Sequence, residues 1–304
     1  MRAPGVYAKS TDLFDLVDRG EQFEKVAGGF GFTEGPVCSR IGFVLFSDLR
    51  SEKIHKMSSG GRGGGARGDD VTTFREKSNR ANGLTFDHQG RLLACETGPG
   101  RVTRTEKDGS ITVMAESWGG KRLSSPNDLV YNIDGTIYFS DMPRADVPDA
   151  SERTMKPAVY RISRSQIPGQ AKLDMASEEC KRADGVALGP KQNQLYMADG
   201  GSKNIRVQDI RDDGSLAPGR VFAEFESDEE GGLDGLKTDE LGNVYCTGPG
   251  GIWVFNAQGH HLGTLVPPEQ PSNLNWGSGF GGLYITARTS VYFLRTKVPG
   301  TRTY

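Results

Sequence analysis

Residues 127–141 read NDLVYNIDGTIYFSD, and five further segments of the chain follow the same plan. Each segment opens on an acidic or amide side chain, continues with a short alternating apolar run, turns at Gly, Asp or Asn, and ends in a second apolar run. This plan predicts a strand, a hairpin turn and a second strand. The other five segments begin at Glu34, Asn82, Asp184, Asp234 and Asn273.

The spacing of these segments predicts the fold. They follow one another at intervals of about 40–57 residues, and short strands repeated at such intervals are typical of a β-propeller. We therefore expect an all-β protein, a six-bladed β-propeller that occupies residues 1–304 as a single domain. In the N-terminal segment of about 30 residues, residues 22–27 are expected to add a strand to the last blade, because such closure removes exposed sheet edges.

The composition argues against several classes of protein. The net charge is −2 and charges of both signs are interspersed, so we expect no nucleic-acid partner. No apolar run reaches the ~18–20 residues that a membrane span needs, and the first residues lack the apolar core of a secretory signal. We therefore expect a cytoplasmic protein with no membrane partner and with buried, reduced cysteines. The oligomeric state stays open.

The residue that opens each segment is the main functional signal. In a propeller the first strand of every blade lines the central channel, so side chains at the same position of that strand meet near the axis. Asn-Gly and Asp-Gly at residues 82, 184 and 234 could instead be hairpin turns. A second turn signal follows each of them, however, and it is the second one that separates two apolar runs. We therefore interpret the opening residues as a shared ring of oxygens.

This ring predicts a metal site in the central channel. Three carboxylates and three amides would converge there, and crowded carboxylates repel one another unless a cation neutralises them. An oxygen-only ligand set favours a hard cation, Ca²⁺ first, with Mg²⁺ or Mn²⁺ as alternatives. Zn²⁺ is less well matched, because no histidine or cysteine belongs to the ring, although it could occupy such a site.

Several stretches together resemble the gluconolactonase family, which includes senescence marker protein (regucalcin) and luciferin-regenerating enzyme. The resemblance implies a six-bladed propeller with one catalytic divalent cation in its channel and lactone hydrolysis as its activity. It covers nearly the whole chain. The stretches are FTEGPV at 32–37, RANGLTFD at 80–87, GKRLSSPNDLV at 120–130, GLDGLKTDELGNVY at 232–245 and LYITARTSVY at 283–292.

The resemblance also implies the metal ligands. Three departures accompany it, of which Leu233, in place of the usual Pro before Asp234, is expected to matter little. Asp184 stands where the family usually has Asn, which adds a negative charge. Cys38 stands where the family usually has Trp, which we expect to open space near the channel mouth. The ligand positions implied by the family motifs are Glu34, Asn127, Asp184 and Asp234.

The expected reaction is the opening of a small-molecule lactone. The cation would polarise the carbonyl, and Asp234 is expected to act as general base towards water, with a purely structural ligand as its alternative role. Asn127 would bind the metal and also orient the substrate. Asn82, Asn273 and Arg144 are predicted substrate contacts. The alternatives are hydrolysis of another electrophile, such as a phosphotriester, and a non-enzymatic calcium-binding propeller.

Three further aspartates close the second strands of their blades. We predict that they satisfy backbone donors of nearby loops rather than take part in catalysis. They are Asp48, Asp141 and Asp199.

Overall fold

The computed structural model describes residues 2–58, 71–144, 150–164, 171–277 and 281–302. Six antiparallel sheets of four or five strands make up the fold, which is a six-bladed β-propeller as predicted. The described part of the chain contains one short α-helix, α1 (Leu13–Leu16), and one 3₁₀-helix, Ala150–Glu152. No helix within the described ranges has the length and apolarity that a membrane crossing needs.

The blades follow one another in chain order, each built outward from its first strand. Blade one contains β3 (Thr33–Cys38), β4 (Phe43–Asp48), β5 (Lys53–Ser58) and β6 (Thr72–Arg75). Blade two contains β7 (Ala81–Phe86), β8 (Leu92–Glu96), β9 (Arg101–Thr105) and β10 (Ile111–Ala115). Blade three contains β13 (Pro126–Tyr131), β14 (Ile137–Asp141), β15 (Ala158–Ile162) and β16 (Leu173–Ser177).

The second half repeats this pattern and also includes the N-terminal strands. Blade four contains β17 (Ala183–Leu188), β18 (Gln194–Asp199), β19 (Asn204–Asp209) and β20 (Arg220–Glu224). Blade five contains β21 (Leu236–Thr238), β22 (Val244–Gly248), β23 (Gly251–Phe255), β24 (His261–Val266) and the N-terminal β1 (Gly5–Ala8). Blade six contains β25 (Pro271–Trp276), β26 (Gly282–Ala287), β27 (Ser290–Arg295) and β2 (Glu24–Gly28). A separate two-stranded hairpin joins β11 (Ser117–Trp118) and β12 (Lys121–Arg122).

The first strands form a closed ring. Each contacts the next in the order β3, β7, β13, β17, β21, β25, and β25 contacts β3 again. Closure is completed by the N-terminus, because β2 pairs with β27 at the outer edge of blade six. The short β1 pairs with β24 in blade five, an additional closure that the sequence did not predict.

Apolar side chains fill the interfaces between neighbouring blades. Among the described residues, six hydrophobic clusters form, one at each interface. The two-residue period of a strand explains this, because alternate side chains point to opposite neighbours. In β4, Val44 and Phe46 pack towards blade six, whereas Leu45 packs towards blade two. Each blade therefore needs both neighbours to bury its apolar faces.

The cysteines belong to this core. All four are buried and none forms a disulfide. Cys38 ends β3 and packs between blades six and one, beside Met57 and Tyr284. Four strand residues, about 13 Å at the usual rise, separate it from Glu34. The expectation that Cys38 opens space near the channel mouth is therefore wrong, because Cys38 lies at the other end of its strand.

Candidate active site at the channel mouth

The six opening residues all lie at the start of a first strand. Glu34, Asn82, Asn127 and Asp184 are each the second residue of their strand, Asn273 is the third, and Asp234 precedes its strand by two residues. All except Asp234 are buried. Asn82 and Asp184 lie inside strands, so the hairpin-turn interpretation of these dipeptides is wrong.

The glycines that follow these residues show why the strands can meet so closely. A Cβ on Gly83 would lie 2.7 Å from the carbonyl oxygen of Asn127, and one on Gly185 would lie 2.4 Å from that of Asp234. Neither glycine has a positive φ. Glycine is therefore required there because neighbouring first strands approach each other near the axis, and not because the backbone turns.

Hydroxyl groups fix the backbone of the ring. Ser47 Oγ donates to the carbonyl oxygen of Asn82 across 2.8 Å, and Ser140 Oγ donates to that of Asp184. Ser272 Oγ donates to the carbonyl oxygen of Thr33 across 2.8 Å, next to Glu34. Because each of these bonds joins one blade to the next, the positions of the ring side chains are set by the closure of the propeller.

Four oxygens of the ring are buried and, among the described residues, have no hydrogen-bond partner. Buried polar atoms in native proteins are nearly always paired, so four unpaired oxygens in one ring indicate a missing partner. Within the described part of the chain, no group of three Asp, Glu, His or Cys side chains could hold a metal ion by itself. A cation at this ring would therefore need the amide oxygens as well. The four atoms are Asn82 Oδ1, Asn127 Oδ1, Asp184 Oδ2 and Asp234 Oδ1.

Glu34 is held differently from these four. Its Oε2 accepts the backbone N–H of Gly35 across 3.0 Å. The side chain of Asn273 lies close enough to Glu34 to lower the pKa of that carboxyl, and Asn273 Oδ1 accepts the N–H of Leu274 across 2.8 Å. The amide of Asn273 therefore faces a carboxylate of the ring.

The electrostatics of the ring show that its carboxylates are crowded. Burial, with a smaller contribution from repulsion by Asp128, raises the pKa of Glu34 to about 7, although the backbone bond from Gly35 acts against this shift. Burial raises the pKa of Asp184 to about 7, although Arg182 acts against this shift. Burial, followed by repulsion from Glu34 and Asp184, raises the pKa of Asp234 well above its usual range. Such a set of acids suits a cation, whose charge would stabilise the ionised carboxylates and offset their repulsion.

A cavity of about 350 Å³ opens at the ring and forms the channel mouth. Blades one, four, five and six contribute to it. Asp234 is the one residue of the ring that lines it, and three arginines line the same cavity. Neither Arg144 nor any of the four histidines belongs to the lining among the described residues. The side chains at this mouth include Arg50, Arg182, Leu233, Asp234, Gln270 and Arg288.

Arg144 follows β14, and its backbone N–H donates to Ser124 Oγ across 3.4 Å. Residues 145–149, which come after it, lie outside the described part of the chain.

The three strand-closing aspartates cap loops, as predicted. Asp48 accepts the backbone N–H groups of Gly31 and Phe32, each across 2.9 Å. Asp199 likewise accepts the N–H groups of Lys181 and Arg182, each across 3.0 Å. Asp141 accepts those of two serines that precede β13. These bonds hold the loops from which the first strands enter the channel.

Sequence reasoning missed two charged groups inside the channel. Asp128 adjoins Asn127 and is buried, and its oxygens accept the N–H groups of Leu129 and Val186. Lys237 Nζ lies 3.5 Å from Asp128 Oδ2. Asp128 could have been noticed in the sequence, because it is the last residue of the SPND stretch. Its pairing with Lys237 could not, because the two residues belong to blades three and five and no nearby sequence pattern links them.

Comparisons with known proteins show what this chain is similar to. Residues 32–289 match the family model described as SMP-30/Gluconolactonase/LRE-like region. A gluconolactonase of Zymomonas mobilis is 29% identical over 96% of this chain and 86% of its own length. The solved structure of a gluconolactonase from Xanthomonas campestris is 25% identical, covers 97% of this chain and 96% of its own, and superimposes with a TM-score of 0.83. The diisopropyl-fluorophosphatase of Loligo vulgaris is 24% identical over 60% of each chain.

Proposed function

The chain belongs to the family of SMP-30, gluconolactonase and LRE-like proteins, and from this premise we propose that it is a divalent-cation-dependent hydrolase that opens a lactone to its hydroxy acid. Likeness to gluconolactonases along nearly the whole chain supports lactone hydrolysis as the class of reaction. The single observation that supports cation dependence is the set of four buried ring oxygens without partners among the described residues.

The proposed ligands are Glu34, Asn127, Asp184 and Asp234. They come from four blades, and three of them carry one of the unpaired oxygens. Oxygen ligands of this kind suit Ca²⁺ best, while Mg²⁺, Mn²⁺ and Zn²⁺ remain alternative occupants. When bound, the cation would supply Lewis-acid polarisation of the lactone carbonyl.

Asp234 is the residue that we assign as general base. Its carboxylate lines the mouth cavity, where water and substrate enter, whereas Glu34 and Asp184 are buried behind it. Asp234 would accept a proton from the attacking water and return it to the ring oxygen as the ester C–O bond breaks. This transfer yields the free hydroxyl and a carboxylic acid, which releases its proton to solvent as the carboxylate forms, and it requires no covalent enzyme intermediate.

The amides of the ring position the substrate. Asn127 and Asn82 are buried side by side in neighbouring blades, each with an unpaired Oδ1. In our proposal Asn127 contributes its oxygen to the cation and its N–H₂ group to the substrate, while Asn82 contacts the substrate or a water. Asn273 acts through Glu34, which it orients. Arg144, in the loop after β14, is proposed as a further contact with the substrate.

A second candidate is hydrolysis of a phosphotriester at the same site, which the similarity to a diisopropyl-fluorophosphatase favours. Titration of released acid over a panel of lactones and phosphotriesters, with and without chelator, tests both. We expect lactone opening that chelation abolishes and added Ca²⁺ restores. Turnover that persists after verified metal removal would contradict cation dependence. Cation binding without turnover on either class would indicate a calcium-binding propeller instead.

A further inference from the structure

The mouth cavity is strongly positive in character. Arg50 from blade one, Arg182 from blade four and Arg288 from blade six all line it. Asp234 is the one acidic residue among its described lining. Three arginines and one aspartate in the lining of one cavity give the opening an excess of positive charge, which attracts anions.

Only one of these arginines has an ionic partner within the described ranges. Arg182 Nε lies 3.0 Å from Asp184 Oδ1. Arg50 and Arg288 form no ion pair with any described residue. Glu269, the acid in the adjoining loop of blade six, is already bound by Thr289, Ser290 and Tyr292.

The charge of the site can then be counted. The three ring carboxylates would be balanced by a divalent cation together with Arg182. Arg50 and Arg288 remain at the entrance, where the carboxylates of Asp48 and Glu269 accept nearby backbone N–H groups and form no ion pair with either guanidinium group. Guanidinium groups bind carboxylate and phosphate oxygens through pairs of N–H donors, so this pair forms a ready receptor for an anion.

The backbone holds both arginines in place. A Cβ on Gly31 would lie 2.6 Å from Arg50 Cβ, so the Arg50 side chain starts directly against that glycine. Asp48 Oδ1 also accepts the N–H of Arg50 across 3.2 Å. These contacts orient Arg50 at the rim of the cavity.

Arg288 adopts a conformation that is unfavourable for its residue type. Its φ is +44°, in the left-handed region that glycine or asparagine adopts more easily. Its carbonyl oxygen accepts the N–H of Thr33 across 2.7 Å, next to Glu34. Glu52 and Lys203 have a similar φ in the corresponding turns of blades one and four, so the turn sets this conformation, and the bond to Thr33 holds Arg288 beside the ring.

We infer that the substrate is an anionic lactone, whose carboxylate or phosphate group binds between Arg50 and Arg288 while its carbonyl lies at Asp234. This inference rests on the proposed lactone hydrolysis and adds the substrate class. A neutral sugar lactone would leave both guanidinium groups without a partner.

The test compares three lactones with similar rings: a neutral aldonolactone, the lactone of a sugar dicarboxylic acid, and a phosphorylated aldonolactone. The wild-type protein should show kcat/KM at least about tenfold higher for one anionic lactone than for the neutral one. The carboxylate and phosphate arms distinguish the two sources of charge. Equal or better hydrolysis of the neutral lactone would overturn the inference.

Variants Arg50→Gln and Arg288→Gln should each raise KM for the anionic lactone by about tenfold, and should lower the ratio of anionic to neutral kcat/KM. The matched control is Arg220→Gln, which removes an exposed arginine from the outer strand of blade four. The inference would also be overturned if the arginine variants lost kcat/KM equally for the anionic and the neutral lactone, or if Arg220→Gln had the same effect.

A binding measurement separates this inference from the proposed function. Titration calorimetry of the Ca²⁺-loaded protein with an aldarate dianion and an aldonate monoanion requires no turnover. Tighter binding of the dianion, lost in Arg50→Gln, supports the anion site even if no lactone is hydrolysed. Equal binding of both anions contradicts it even if lactones are opened.

Discussion

Arg182 Nε donates to Oδ1 of Asp184 across 3.0 Å, and Oδ2 of the same carboxylate is buried without a partner among the described residues. The guanidinium therefore occupies one oxygen and leaves the other available as a ligand. The resemblance to the gluconolactonase family implies Asn at position 184. Here the aspartate and its arginine form a pair, in which Arg182 offsets the additional charge.

This pair predicts a non-additive effect on cation binding. In Asp184→Asn alone, the N–H₂ group of the new amide must face either Arg182 or the cation. Both contacts are unfavourable, because they bring a hydrogen-bond donor against a positive charge. Arg182→Gln supplies a carbonyl that can accept this N–H₂ group. We expect the double variant to bind Ca²⁺ more tightly than the two single effects on the binding free energy would predict when added together. The difference should be about 0.5–1 kcal/mol, a small value because Arg182 is half exposed. Calorimetry on the four proteins measures this, and simple additivity would contradict it.

Asp234→Asn should abolish turnover in protein that still holds the cation. An amide oxygen can coordinate a cation, but it cannot accept a proton from water. We expect kcat to fall by about 10²–10⁴-fold, with metal content confirmed by elemental analysis. Near wild-type rates in the metallated variant would leave Asp234 as a ligand only.

Glu34→Gln is the matched comparison for that experiment. Glu34 is buried, its Oε2 accepts the N–H of Gly35, and it does not belong to the lining of the cavity. Its loss should act mainly through cation occupancy, so activity should recover at high Ca²⁺ concentration. A deficit in kcat that saturating Ca²⁺ cannot correct would assign Glu34 a chemical role as well.

Chelation should lower the melting temperature. The proposed ligands come from blades one, three, four and five, so a bound cation joins the ring, and occupancy at 100 times Kd stabilises the folded state by about 2.7 kcal/mol. The melting temperature of Glu34→Gln should respond less to the same treatment. An unchanged melting temperature of the wild type after verified metal removal would contradict the proposal.

The fold could be predicted because the same strand–turn–strand pattern recurs along the chain. Six copies of one local pattern determine the number of blades, and each first strand follows from its own sequence. In contrast, β1 has only four residues, GVYA, and no period. It forms because the edge of β24 is available to it, which is a tertiary contact.

The ring was visible in the sequence for the same reason, whereas the mouth was not. Arg50 and Arg288 lie in loops at opposite ends of the chain, and nothing local links them. Only closure of blade six against blade one brings them to the same cavity. The bond from Ser272 Oγ to the carbonyl oxygen of Thr33 is another such contact across the closure.

Gly185→Ala should destabilise the protein and weaken cation binding together. Its Cβ would meet the carbonyl oxygen of Asp234 at 2.4 Å and Gly235 Cα at 2.9 Å, so the backbone of a proposed ligand must move. We expect a loss of roughly 1–3 kcal/mol in the free energy of unfolding, measured by urea denaturation.

Gly232→Ala is the control for this steric argument. Its Cβ would have no atom within 4 Å, and the residue has no positive φ. It should therefore change the free energy of unfolding by less than about 0.5 kcal/mol. Equal effects of the two alanines would show that the contact between first strands is not what requires glycine at position 185.

His261 should make the protein sensitive to acid. Its ring stacks on Trp253 at 4.1 Å, Nε2 lies 2.9 Å from the carbonyl oxygen of Gly263, and Nδ1 is buried without a partner among the described residues. Protonation would place an unpaired N–H at Nδ1. Burial first, and the nearby charges of Lys9 and Arg2 after it, lower the pKa of His261 to about 4, and the bond to Gly263 only partly opposes this.

The direction of the pH dependence follows from this shift. Between pH 6.5 and about 4 the unfolded chain takes up a proton at His261 that the folded chain does not, so the free energy of unfolding falls as the pH drops through this window. We expect His261→Gln to remove a part of that fall, on the order of 1 kcal/mol after allowing for partial exposure. His260→Gln, which changes the exposed neighbour, should retain the wild-type slope. Denaturation measured at pH 7, 5.5 and 4.5 compares the three proteins, whose carboxylates titrate alike. If the free energy of unfolding fell equally with pH in all three proteins, protonation of His261 would not destabilise the folded state.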